Sequence, residues 1–114
     1  LNFKEFINIL IDFLSSKSDI HLTIKSITAL DINLIMKINY LIEFLKIILK
    51  SKLLSENLSG IYNTFNDSNF SNLKISNLIN DLNDLRFDYF KVPQINETHV
   101  LNYFLSEVKN SIKI

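Results

Sequence analysis

The chain has 114 residues, a formal net charge of zero and no cysteine, with one glycine (Gly60), one proline (Pro93), one alanine (Ala29) and one arginine (Arg86) against eighteen leucines, eighteen isoleucines and nine phenylalanines. Zero net charge leaves no overall field to draw in nucleic acid or an anionic membrane, and a single glycine leaves no loop of the kind that cradles phosphate. The length suits one domain over residues 1–114, ample for a core without disulfide or metal staples.

Phe3, Phe6, Ile7, Leu10, Phe13 and Leu14 recur at helical spacing, with Lys4, Glu5, Asn8 and Asp12 on the other side, so residues 3–14 are predicted to form an amphipathic helix. Ser15, Ser16 and Ser18 break it, and Asp19 caps the next segment. Ile20, Leu22 and Ile24 alternate as a strand would. Ile20, Ile24 and Ile27 also fit a helix, and no second strand signal is present to pair with the first, so a short helix is preferred.

Thr28-Ala29-Leu30-Asp31 reads as a capping box opening a long helix. Its stripe is Leu34, Ile35, Ile38, Leu41, Ile42, Leu45, Ile48 and Leu49, with Asn33, Lys37, Glu43, Lys46 and Lys50 opposite. Each such side chain stabilises by about 1.5–3 kcal/mol when buried, which makes this the central helix. It is expected to end between Ser55 and Gly60, with the glycine in the left-handed position just past the end.

Residues 60–72 are rich in Asn and Ser and read as a loop, in which Ile61, Tyr62 and Phe65 keep helical spacing over one short turn. The next helix opens at Ser71 or Asn72, turns Leu73, Leu78, Ile79, Leu82, Leu85 and Tyr89 inward, and stops before Val92-Pro93. Asn96 caps the last helix, whose inner face is Val100, Leu101, Phe104, Leu105, Val108 and Ile112, with Lys109 and Lys113 at its negative end. Short links between such helices give an all-α fold: an antiparallel helical bundle of four main helices plus one or two short helices.

Motifs for chemistry are sparse. His21 and His99 have no second histidine four residues away and no cysteine pair, so they read as structural or surface residues, and no metal or cofactor is expected. Asp81, Asp84 and Asp88 share one helical face in the manner of a magnesium-diphosphate site, but no matching acidic pair stands on a second helix. Their expected role is a solvated face or a contact with a basic groove on a partner. Asp67, Asn69 and Ser71 have calcium-loop spacing but lack the glycine and the closing glutamate. Lys46, Lys50 and Lys52 form a small basic end that reads as solvated. Serine has no nucleophile elbow around it, and Arg86 has no histidine downstream to pair with, so the chain reads as a non-enzyme.

The longest apolar runs, such as Ile9-Leu10-Ile11, are far below the roughly 20 residues of a membrane span. The chain is read as soluble. The lack of cysteine leaves a cytoplasmic location and secretion after removal of a signal peptide both open; the start at Leu1 suits a trimmed chain or a processed precursor.

Abundant Ile, Asn, Lys and Phe with scarce Ala, Gly, Pro and Arg is the signature of AT-rich codons. That discounts the glycosylation sequons at Asn57, Asn66, Asn69 and Asn96. The surplus of bulky apolar volume must be buried somewhere. The leading expectation is a module that binds another protein, or itself as a homodimer, of the host-interaction, immunomodulatory or immunity type found in viruses and other pathogens with AT-rich genomes. Phe87, Phe90 and Tyr103 are its candidate exposed anchors, beside Asp81, Asp84 and Asp88. The alternatives are a helical carrier enclosing a lipid or other apolar ligand, and a secreted four-helix signalling factor.

Overall fold

Serine takes the left-handed place that glycine usually holds at the C-terminal ends of two helices of this chain. The computed structural model describes residues 2–66, 68–89 and 95–113. Helix α1 (Asn2–Leu14) ends where Ser16 takes φ +62°, with Lys17 N–H donating to Asp12 C=O at 2.8 Å and Ser16 N–H to Phe13 C=O at 3.1 Å. This is a Schellman cap with serine in the left-handed position.

Helix α2 (Ile20–Thr28) starts from Asp19, whose carboxylate accepts from Leu22 N–H at 2.8 Å. Thr23, Ile24 and Ile27 turn inward, which settles the strand-or-helix ambiguity of this segment in favour of helix.

Helix α3 (Leu34–Leu53) is capped by Asn33, which accepts from Met36 N–H at 2.9 Å. The expected capping box at Thr28–Asp31 is therefore not used. Thr28 is the last residue of α2, and residues 29–33 turn the chain. At its far end Ser55 adopts φ +54°, and Glu56 N–H donates to Ser51 C=O at 2.9 Å. Gly60, expected at that position, instead opens the next element with φ +63°.

A left-handed residue with a Cβ costs about 1–2 kcal/mol relative to glycine, partly offset by glycine's greater freedom in the unfolded chain. Ser16→Gly and Ser55→Gly are each expected to raise stability by about 0.5–1 kcal/mol, a shift of a few degrees in thermal melts. An unchanged or lowered Tm for both would show that the serine side chains themselves stabilise these helix ends.

A 3-10 helix (Gly60–Phe65) comes next, as the spacing of Ile61, Tyr62 and Phe65 suggested. Then come strand β1 (Asn69–Phe70), helix α4 (Asn72–Tyr89), helix α5 (Glu97–Ser111) capped by Asn96, and strand β2 (Ile112–Lys113). The strands pair antiparallel, Asn69 with Lys113 and Phe70 with Ile112. This short ladder had no sequence signal. It ends α5 at Ser111, so Lys113 is not in the helix's final turn. Val92 and Pro93 lie outside the described residues, as do the side chains of Tyr89 and Lys113.

The four long helices, with α2 and the 3-10 turn, make the expected all-α bundle around one continuous apolar cluster. Helix α3 packs on α1 and α4, and α5 packs on α2 and α4. A radius of gyration of 13.6 Å is close to the ~13 Å of a fully packed chain of this length.

Most of the expected stripe of α3 is buried, yet the buried arc is wider than that stripe. Phe44, missed by the pattern, is fully buried because the 3-10 turn folds over it: its ring stacks on Tyr62 (6.4 Å) and meets Phe65 edge-on (5.5 Å). Tyr40 on the same helix takes the edges of Phe3 and Phe6 from α1. In α4 the core residues are Ile75, Leu78, Ile79 and Leu82, whereas Leu73, expected inward, is 70% exposed.

Two lysines also depart from expectation. Lys37, assigned to the solvent face, is 3% exposed, and its ammonium lies 3.1 Å from the Glu97 carboxylate in the first turn of α5. Lys109 donates to the Phe13 carbonyl at 3.0 Å with its ammonium 4.6 Å from the centre of the Phe13 ring. It thus serves the negative end of α1 rather than that of its own helix.

Candidate interaction surface

Apolar side chains that remain in water after folding are the residues to ask about function. Among the described residues these are Leu22, Met36, Leu53, Leu54, Leu73, Phe87 and Tyr103. Leu53 and Leu54 come together with Leu49 at the C-terminal end of α3, where they line an open, shallow cleft of about 350 Å³ formed by the side chains of this one helix end. Lys46 and Lys50 form its walls. Leu49 and Leu53 are one helical turn apart, as are Lys46 and Lys50, so a leucine row runs beside a lysine row. A lysine stem is apolar and its head stays hydrated, so such a wall accepts an apolar partner while presenting positive charge at the rim. The same i, i+4 repeat was the signal available in the sequence, but a repeat does not say whether the side chains will be covered.

The residues proposed from sequence as anchors fall in different places. Asp81 and Tyr103 meet at a cleft of about 190 Å³ between α4 and α5, together with Lys74, Asn77 and Glu107. Tyr103 is 55% exposed, and its ring meets Phe104 edge-on at 5.0 Å. Asp84, Phe87 and Asp88 are exposed on the outward side of α4. Phe90 lies outside the described residues.

Arg86 is committed to structure, donating to Asn39 on α3 and to Asn83 on its own helix, both at 2.8 Å. Lys52 lies over the Phe70 ring at 5.6 Å, so the basic end of α3 does have an aromatic neighbour, one that comes from the strand before α4.

His21 borders a shallow cleft of about 470 Å³ with Ile24, Lys25, Thr28, Ala29 and Thr98, and His99 uses its backbone N–H to complete the Asn96 cap. Among the described residues no three acidic, histidine or cysteine side chains converge as metal ligands. Burial, reinforced by the charge of Glu43, raises the Tyr62 phenol above its ordinary value of 10.0, so it stays neutral and supports the stack on Phe44.

Two of the four sequon asparagines are engaged in holding the backbone. Asn66 accepts from Leu58 N–H at 2.6 Å and donates to Leu58 C=O at 2.9 Å, and Asn96 caps α5. No described helix is long and apolar enough to cross a membrane.

No protein-family model, curated protein or solved structure matches the chain.

Proposed function

We propose that this chain is a non-enzymatic helical module that works by binding another protein, and that the leucine cleft at the end of α3 is part of the surface it uses. The observation that carries the reading is the pair Leu53 and Leu54, 63% and 54% exposed side by side on a well-formed helix end, with lysines beside them. Leaving two leucines a little over half in water forgoes about half of the roughly 1.5–3 kcal/mol that full burial of each contributes, and a docked partner would recover it. An AT-rich codon signature in a small interaction protein suggests host-directed, immunomodulatory or immunity roles by analogy.

A photo-crosslinking residue at position 53 tests the reading in the protein's native source. An adduct with a polypeptide in fixed stoichiometry, absent when the crosslinker is moved to exposed Asn8 on α1, is the expected result. Recovery of stoichiometric lipid from the purified protein, or of glycan on its sequons after secretion, with no adduct at position 53, would replace it with the carrier or the signalling factor.

A further inference from the structure

We propose that the occupant of the α3 cleft is a second copy of this chain, which presents the outward acidic side of its own α4. This rests on the reading of the cleft as a protein-binding surface and names what binds there.

Two contacts set the direction of α4 against α3. The Arg86–Asn39 hydrogen bond holds the C-terminal half of α4 beside the first half of α3, and the Lys52–Phe70 contact holds the start of α4 near the end of α3. The helices therefore run antiparallel. The acidic residues Asp84 and Asp88 lie toward one end of this pair, and the basic cleft lies toward the other.

Each end carries its own apolar group: Leu53 and Leu54 at the basic end, and Phe87, 67% exposed, between the aspartates. In the proposed dimer the basic end of each copy meets the acidic end of the other across a two-fold axis. Such a contact is made twice and closes on itself.

The spacing fits as well as the sign. Lys46 and Lys50 are four residues apart, as are Asp84 and Asp88, so both pairs step by about 6 Å along their helices. Among the described residues the one ion pair is Lys37–Glu97, so none of these four side chains is ion-paired to a described residue. Glu43, three residues before Lys46, tempers the basic end without cancelling it. With a formal net charge of zero, two copies also approach without long-range repulsion. In this arrangement the charges set orientation, and the leucines and Phe87 supply most of the affinity.

Sedimentation equilibrium over a wide concentration range tests this. The expected result is a mass rising from 13.3 kDa toward twice that value, with association weakened by high salt. Lys46→Glu/Lys50→Glu, both on exposed positions, weakens association by about 100-fold, and so does Asp84→Lys/Asp88→Lys. Combining all four reversals restores it to within about threefold, which a merely misfolded variant would not do.

A constant monomer mass at the highest concentration overturns the proposal. So does a dimer indifferent to the reversals, or an open polymer that grows with concentration. A crosslink from position 53 to a different polypeptide, without self-association, would overturn it too while leaving the binding function intact.

Discussion

Glu97→Ala is expected to destabilise the protein by about 3 kcal/mol, whereas Lys37→Met, on the other side of the same ion pair, is expected to change stability by no more than about 1 kcal/mol. The asymmetry follows from where the two charges sit. The Lys37 side chain is 3% exposed and that of Glu97 is 27% exposed. Removing the glutamate leaves an ammonium inside the bundle with no counter-charge, and losing one partner of a buried pair typically costs about 3–5 kcal/mol. Water reaches the Glu97 side, so the lower end of that range applies. Removing the lysine leaves a carboxylate that solvent can still reach, and a methionine fills the vacated volume with apolar atoms. Glu97 also stands in the first turn of α5, so its loss removes a further few tenths of a kcal/mol of favourable interaction with the helix dipole. Urea denaturation of the two single variants and of Lys37→Met/Glu97→Ala measures this. The double variant should recover most of what Glu97→Ala loses. Equal losses from both single variants would show that the pair contributes by packing and not by charge.

That ion pair also shows where a sequence stops being legible. Asp19, Asn33 and Asn96 each cap a helix through a bond to a backbone N–H three residues on, and signals of that range are written in consecutive residues. Thr28 nonetheless reads as the cap and Asn33 as a residue of the solvent face, because the length of the turn between α2 and α3, which decides between them, is not written in the local pattern. Lys37 finds its partner sixty positions away, and nothing near it in the chain separates it from Lys46 or Lys50, which do face solvent. Leu73 is a different case. Counted from Ile75, Leu78, Ile79 and Leu82, helical periodicity places it on the opposite side of α4, so its exposure was readable and the wider run of apolar letters misleads. At Leu53 and Leu54 the i, i+4 repeat was visible, but their exposure was not. The pattern records which residues are apolar, whereas function here depends on which of them nothing in the fold covers.

Phe44→Ala is expected to be the most damaging single core substitution on α3, costing about 3–5 kcal/mol, a large share of the roughly 5–15 kcal/mol that holds a domain of this size together. The residue is fully buried and bulky, and it is flanked by Tyr62 and Phe65 of the 3-10 turn. Truncation removes the area buried by the ring, leaves a cavity, and deletes two aromatic contacts worth about 0.5–1.5 kcal/mol each. The loss is not spread evenly. The segment from Leu58 to Asn66 is closed on itself by the two Asn66–Leu58 hydrogen bonds, and its main anchors into the bundle are Phe65 and the Tyr62–Phe44 stack. Amide exchange should therefore rise first in residues 58–66 of Phe44→Ala, before the long helices lose protection. Leu73→Ala, which removes an equally apolar side chain from the outward side of α4, should change stability by less than about 0.5 kcal/mol. Loss of protection spread evenly over all five α-helices in Phe44→Ala would mean that the turn is held by the bundle as a whole and not by this one ring.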